Sequence, residues 1–427
     1  MSSGANATLA GINTIEDLNK GPQGQGGFLA NKRVFIRVDF NVPMDKKTGK
    51  IRDDARIREA LPVIRYAVEA GAKVIVASHM GRPKGQRVES ASMIPVGQRL
   101  AELTGYEVLV PEDCVGDAPK KLIHDLRVLS AGGQSRGPAQ LVLLENLRYH
   151  NEEEKNDEGF ARQLAELCDV YINDAFGAAH RAHASVHALP RLVRDRGIGM
   201  LMQKELAALG RLVESPDKPY VAVLGGVKVS DKIDVCEALI QKCTTLCIGG
   251  AMANTFLAAQ GKNMQKSLVE VDKLPLARTL LEKARDAGVE ILLPVDVVVG
   301  ESTEATSGKT VDVDAVPEGM MALDIGPKSV EAVAKRFLGA KTIFWNGPMG
   351  LFESAPFAEG TMQVARAMSK ASAFTVVGGG DSAAAVAQAG AEVAKGFKHI
   401  STGGGASLEF VEGKKLPGVE ALRQGGA

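Results

Sequence analysis

Short apolar runs that stop at glycine punctuate the second half of the chain. Phe374–Val377 is aromatic or β-branched, as a strand covered on both faces needs. It runs into Gly378, Gly379 and Gly380, and then into an alanine-rich stretch that opens with Asp381 and Ser382, where helix caps sit. That order predicts strand, tight turn and helix. Other runs end alike. Val221–Leu224 stops at Gly225 and Gly226, and Thr244–Ile248 at Gly249 and Gly250. Thr342–Trp345 stops at Asn346 and Gly347, and Phe397–Ile400, through Ser401 and Thr402, at Gly403 to Gly405. Leu292–Val299 reads as one more strand.

The first half alternates in the same way. Val34–Phe40, Lys73–Ala77, Leu141–Leu144 and Val170–Asp174 read as strands. Between the first two, Ile57, Leu61, Ile64 and Val68 share a helical face that Gly71 ends, and Pro62 predicts a kink or a later start. Leu201, Leu206, Leu209 and Leu212 mark an amphipathic helix over 199–214, and Pro216 and Pro219 then break the chain. The expected partition is a first domain over 1–198, a connecting helix over 199–214 and a second domain over 215–410. Strands alternating with helices imply α/β domains with mostly parallel, right-handed sheets. Residues 1–27 are small and polar, lack the apolar centre of a signal peptide, and read as a mobile extension.

Composition narrows the choice. A length of 427 residues suggests two or three domains at roughly 150 residues each. Lys plus Arg equals Asp plus Glu, 51 each, so no global charge points to nucleic acid or a membrane surface. Five cysteines fit reduced thiols in a cytosolic protein better than a disulfide framework. No apolar run reaches transmembrane length.

In a parallel sheet all strand C-termini lie on one edge, and ligands bind there. In the first half that edge receives Asp39, Asn41, Arg56, His79, Arg82, Arg148 and Arg181. Arginine forks match phosphate and carboxylate oxygens, so a small, multiply anionic substrate is expected. Any one of these arginines alone reads as a surface residue; together they read as a site. In the second half the glycine turns leave backbone N–H groups and helix starts open to phosphate. Lys228 and Lys232 stand four apart after a double glycine, so on a helix start they share a face.

Competing readings fit less well. His180, His183 and His187 have a metal-like spacing, but no carboxylate or cysteine nearby completes a tetrahedral set. Ser307–Thr310 resembles the end of a P-loop, yet Gly300 is too distant and no helix pattern follows. A dinucleotide-dependent dehydrogenase would show G-x-G-x-x-G after the first strand of either half, and neither does. A regulatory protein that keeps the nucleotide fold without chemistry remains an alternative.

Taken together, RVDFNVP (37–43), SHMGRP (78–83), LLENLR (143–148), NDAFGAAHRAH (173–183), LGGVKVSDKI (224–233), FWNGPMGLFE (344–353), VVGGGDSAA (376–384) and STGGGASLEF (401–410) resemble the phosphoglycerate kinase family in letters, order and spacing. The resemblance implies two Rossmann-like domains with parallel sheets, joined by a linker helix across a cleft, with the tail from about Val411 returning to the first domain. It implies reversible phosphoryl transfer from 1,3-bisphosphoglycerate to MgADP, giving 3-phosphoglycerate and MgATP, by a cytoplasmic monomer. Carried over by motif, Asp39, Asn41, Arg56, His79, Arg82, Arg148 and Arg181 hold the phosphoglycerate. Gly225, Gly226, Lys228, Lys232, Gly249, Asn346, Glu353 and Gly378, Gly379, Gly380, Asp381 and Ser382 hold the nucleotide. Asp381 takes Mg2+, Glu353 reaches the ribose, and Arg56, Lys232, Gly380 and Gly403 serve the transferring group. Val227 and Ser382 stand where the family has Ala and Thr, and Met80 and Met349 replace other apolar residues. The implied nucleophiles, a carboxylate or a phosphate oxygen, are ionised at neutral pH and need no general base.

Overall fold

The computed structural model describes residues 7–22, 24–45, 47–129 and 138–424. Contacts divide the chain into two units, Met1–Ala207 with Lys415–Ala427, and Ala208–Lys414.

In the first unit, β1 (Asn13–Thr14), β2 (Arg33–Arg37), β3 (Lys73–Ala77), β4 (Glu107–Leu109), β5 (Gln140–Leu143), β6 (Val170–Asn173) and β7 (Asp195–Ile198) form one sheet in the order β1-β7-β6-β2-β3-β5-β4. Every pairing is parallel. Helices cover both faces, which is why the strands read as continuous apolar runs: all four residues of β6 are buried.

Three expectations change here. Part of the segment expected to be a mobile extension is built into the sheet. β1 pairs with β7, and the helix Ile15–Lys20 buries Ile15 completely. Its start is a capping box: Asp17 N–H donates to Thr14 Oγ1 at 3.1 Å, and Thr14 N–H donates to Asp17 Oδ2 at 3.2 Å. The helix Ala55–Glu69 runs through Pro62 instead of starting after it. The first strand stops at Arg37, so Asp39 and Asn41 lie in the loop beyond it.

In the second unit, β8 (Tyr220–Leu224), β9 (Thr245–Ile248), β10 (Glu290–Leu292), β11 (Asp296–Gly300), β12 (Lys309–Asp312), β13 (Met321–Ile325), β14 (Thr342–Asn346), β15 (Phe374–Gly378) and β16 (His399–Ile400) make two sheets. One is parallel, in the order β10-β9-β8-β14-β15-β16. The other is antiparallel, β12-β11-β13. The expected single strand Leu292–Val299 is therefore split between the two sheets, with Pro294 in the break. A proline cannot donate to a ladder, and here it ends one strand before the next begins. Lys309 and Thr310, from the P-loop look-alike, lie in β12.

The boundary between units falls inside the helix Met200–Val213. The return to the first unit comes at Lys415, later than Val411. The helix Gly405–Val411 packs against Ile233–Ile240, and Lys414 Nζ holds Asp234 and Glu412, each at 2.9 Å. Beyond that point Gly418 N–H donates to the Ala179 carbonyl at 2.9 Å, and Gln424 N–H to that of Gly11 at 2.8 Å. Among the described residues no helix is long and apolar enough to cross a membrane. All five cysteines are free and buried.

Candidate substrate and nucleotide sites

The first unit gathers its charged groups on the loops that follow β2, β3, β5 and β6. Arg56, in the first turn of Ala55–Glu69, donates to Asp39 Oδ2 at 3.0 Å. Asn41 Oδ1 accepts the Gly81 N–H at 2.9 Å. Arg148, 3% exposed, donates to the Gly81 carbonyl at 2.8 Å and stands 3.3 Å from Glu154. The Gly81 turn is thus held from both sides, by Asn41 and by Arg148. Arg181 Nε donates to His180 Nε2 at 3.1 Å. Arg82 is exposed and has no protein partner among the described residues.

A buried relay that the sequence reading did not pick out lies behind these residues. Arg37 is fully buried. Its Nε donates to Ser185 Oγ at 2.9 Å, and one terminal nitrogen lies 3.1 Å from His79 Nδ1. Ser185 donates in turn to the fully buried Glu153, 2.6 Å from Oγ and 2.9 Å from its N–H. Only the place of Arg37 directly after the apolar run Val34–Ile36 hinted at this, because a buried arginine requires a partner.

Burial, reinforced by nearby arginines, favours the uncharged forms of His79 and His183. Burial, then the charges of Arg37, Arg148, His183 and Arg56, hold His79 well below its ordinary value. Burial and the Arg148, Arg37 and Arg181 charges push His183 down to about 3. Neutral imidazoles thus sit among arginines that stay charged, an arrangement suited to an anion that supplies the missing negative charge.

In the second unit the turns after β8, β9 and β14 interlock through their backbones. Gly225 N–H donates to the Asn346 carbonyl at 2.9 Å, and Gly226 N–H to that of Pro348 at 3.1 Å. A Cβ on Gly225 would meet the Pro348 oxygen at 2.0 Å, and one on Gly249 would meet Met349 at 2.3 Å. Packing therefore demands glycine at Gly225, where backbone stands in the way, whereas at Gly249 the obstacle is the movable end of the Met349 side chain. Asn346 is buried, donates to the Gly378 carbonyl at 2.8 Å, and accepts from Lys232 Nζ. Burial lowers the pKa of Lys232.

Lys228 and Lys232 do not share a helix face. The helix starts at Ile233, Lys232 is its N-cap, and Lys228 is exposed in the preceding loop. Neither Asp381 nor Ser382 caps the last helix start. Gly379, at φ 90°, is the N-cap of Gly380–Ala389, and Asp381 is exposed in the first turn without a protein partner among the described residues. That uncommitted carboxylate at a helix start has the hard oxygen chemistry that Mg2+ takes. Ser382 is fully buried, and its Oγ accepts the Gly347 N–H at 2.6 Å, so it holds the neighbouring turn. Gly403 is buried with its N–H on Ser401 Oγ at 3.2 Å, whereas Gly380 and Glu353 are exposed.

The histidine trio does not converge. His187 Nδ1 lies 3.0 Å from Asn156 Nδ2, and His180 Nε2 accepts the hydrogen bond from Arg181. Among the described residues, one group of metal-type donors comes together: Asp113, Cys114 and His150 lie within 4.8 Å of one another. There His150 Nε2 is bonded directly to Asp113 at 2.7 Å, and burial pushes the Cys114 thiol well up, so the group reads as a link between two loops.

A family model described as phosphoglycerate kinase matches residues 27–414. A phosphoglycerate kinase of an Anaeromyxobacter species is 56% identical over 397 residues, covering 92% of this chain and 97% of its own length. That of Acidobacterium capsulatum is 52% identical over 405 residues, covering 93% and 97%. Among solved structures, phosphoglycerate kinase from Coxiella burnetii superposes with a TM-score of 0.83 at 40% identity, over 96% of this chain and 98% of the other. The enzyme from Pyrococcus horikoshii gives 0.76 at 32% identity, over 96% and 98%.

Proposed function

We propose a residue-level mechanism from one premise: the chain belongs to the phosphoglycerate kinase family. It is a kinase that moves phosphate to and from the carboxyl group of 3-phosphoglycerate, in glycolysis and its reversal. Our reading gives the phosphoglycerate to the first unit and the nucleotide to the second. Arg56, Arg148 and Arg181, with Arg82 from the exposed loop, clamp the phosphate and carboxylate oxygens. Asp39 and Asn41 fix Arg56 and the Gly81 turn. His79, kept neutral by burial and its arginine neighbours, hydrogen-bonds without adding a like charge.

In the second unit Lys232 faces the transferring phosphate, Lys228 the nucleotide phosphates, and the exposed Gly380 N–H adds a main-chain donor. The turns at Gly225, Gly226 and Gly249 form the floor against which the base lies, and Glu353 reaches the ribose. Asp381 holds Mg2+ on the nucleotide, and bound there the ion neutralises phosphate charge. No group needs to remove a proton, so the rate enhancement comes from alignment and charge neutralisation. With each substrate on its own unit, transfer depends on closure, which keeps water from the acyl phosphate. Free, buried cysteines suit a reducing cytoplasm, where we place the enzyme as a monomer.

The observation that carries this reading is the asymmetry of charge. One unit concentrates arginines around neutral histidines, and the other presents glycine turns and a half-buried lysine. A coupled assay tests it, with 3-phosphoglycerate, MgATP and glyceraldehyde-3-phosphate dehydrogenase, following NADH oxidation. Turnover that disappears in Lys232→Ala is the expected result. MgADP binding without turnover in the parent would instead favour a nucleotide-binding regulatory protein.

A further inference from the structure

The loop that delivers Lys232 has no helix to support it. Between the end of β8 at Leu224 and the helix start at Ile233, the chain has neither strand nor helix. A side chain from elsewhere in the second unit fixes it. Glu270 Oε2 accepts the N–H groups of Val229 and, at 3.2 Å, Ser230, while Oε1 accepts the Ser230 hydroxyl at 2.6 Å. The Val229 side chain is fully buried beneath the turn. Glu270 is anchored in turn: its N–H donates to Thr255 Oγ1 at 3.1 Å. Thr255 lies, 1% exposed, on the helix Gly250–Ala259, and that helix holds the start of the same loop through Met252 N–H to the Gly226 carbonyl at 3.0 Å. From the clamped turn, Lys232 N–H donates to the Val229 carbonyl at 2.9 Å.

We infer that Glu270 is a positioning residue for phosphoryl transfer: its carboxylate fixes the Val229–Ser230 turn and so sets where the Lys232 ammonium stands. This rests on the role given to Lys232 above. A carboxylate that accepts three donors makes the strong, charge-assisted kind of hydrogen bond and leaves the turn little freedom. It also fills the main-chain N–H pair that a nucleotide phosphate would otherwise find. The phosphates are therefore met by Lys228 and Lys232, not by the amides of this turn. No local motif marks Glu270, which lies outside every glycine turn and every strand end.

The test compares Glu270→Ala, Glu270→Gln and Lys232→Ala with the parent. Glu270→Ala is expected to lower kcat about tenfold or more and to raise the KM for MgADP, because a small misplacement of a catalytic cation is costly. The KM for 3-phosphoglycerate stays within about twofold, since that substrate belongs to the other unit. Glu270→Gln keeps one acceptor oxygen and falls between parent and alanine variant. Hydrogen exchange at Val229 and Ser230 accelerates in Glu270→Ala while overall thermal stability stays near that of the parent. Parent-like kcat and MgADP KM in Glu270→Ala, beside an inactive Lys232→Ala, would overturn the inference. If Lys232→Ala keeps its activity, the role of Lys232 falls instead, and unchanged exchange at the two amides would then refute the clamp itself.

Discussion

On the proposed assignment, the two units would meet anions in different ways. The first would use long cationic side chains, Arg56, Arg148 and Arg181, held by Asp39, the Gly81 carbonyl and His180. The second would use lysines on a loop, Lys228 and Lys232, beside three strand-end turns locked to one another, with Lys232 pinned to Asn346. A guanidinium reaches out from a loop and can be turned by a single partner. A lysine carried on a loop is only as well placed as the turns around it. Precision in the first unit therefore lies in side-chain pairs, and in the second it lies in packing.

Four measurements break or sharpen that contrast. Lys232→Ala has the largest expected effect, a fall in kcat of about 10³-fold with the KM for 3-phosphoglycerate little changed, by steady-state kinetics. Arg56→Ala comes next, with kcat down about 10²-fold and MgADP affinity at the parent value by calorimetry. An equal loss of MgADP affinity would merge the two sites and end the comparison. Asp381→Asn weakens MgADP binding about tenfold while Mg-free ADP binds as before. A variant whose magnesium dependence matches the parent would leave Asp381 as a residue of the helix start only.

The smallest effect is a slope with pH. Burial pushes Asp174 in the first unit and Asp324 in the second up to about 7. Their folded values lie above the unfolded carboxylate value of about 3.9, so between those limits the folded protein holds a proton that the unfolded chain has released. Their contribution is complete below about pH 4 and is lost as pH rises through 7, at no more than about 1.4 kcal/mol per pH unit for each group. Asp174→Asn and Asp324→Asn should each flatten this part of a urea-midpoint profile measured from pH 4.5 to 7, and a profile unchanged by either substitution would refute the shift.

How much of this the sequence displayed follows the same divide. β3 occupies Lys73–Ala77 residue for residue as its apolar run predicts, and β8, β14 and β15 each differ from their runs by one residue at one end. Buried parallel strands are the easiest elements to read, because both faces are apolar. β1 escaped because two residues carry no period, although the Thr14 and Asp17 box was there to see. The antiparallel sheet escaped because Pro294 interrupts a run that otherwise looks single. The places of Asp39 and Arg148 beyond strand ends, and of Asp381 at a helix start, were legible from the apolar runs before them. Arg37 and Glu270 were not, since their partners, Ser185 and the Val229–Ser230 turn, are distant in the chain. Glycine was an ambiguous signal: Gly225 looked like an opening for a ligand, and close backbone packing by itself also requires glycine there.

The tail has a consequence for how the molecule is made. Asn173 Nδ2 donates to the Gly418 carbonyl at 3.3 Å, Arg196 to that of Arg423 at 2.9 Å, and Arg423 to that of Thr8 at 3.2 Å. Gly418 also packs on Ala179, in the turn that carries Arg181. On the ribosome, where synthesis runs from the N-terminus, all of the second unit emerges before these partners do. The half that begins first must wait, incomplete, until the half that begins second has left the exit tunnel.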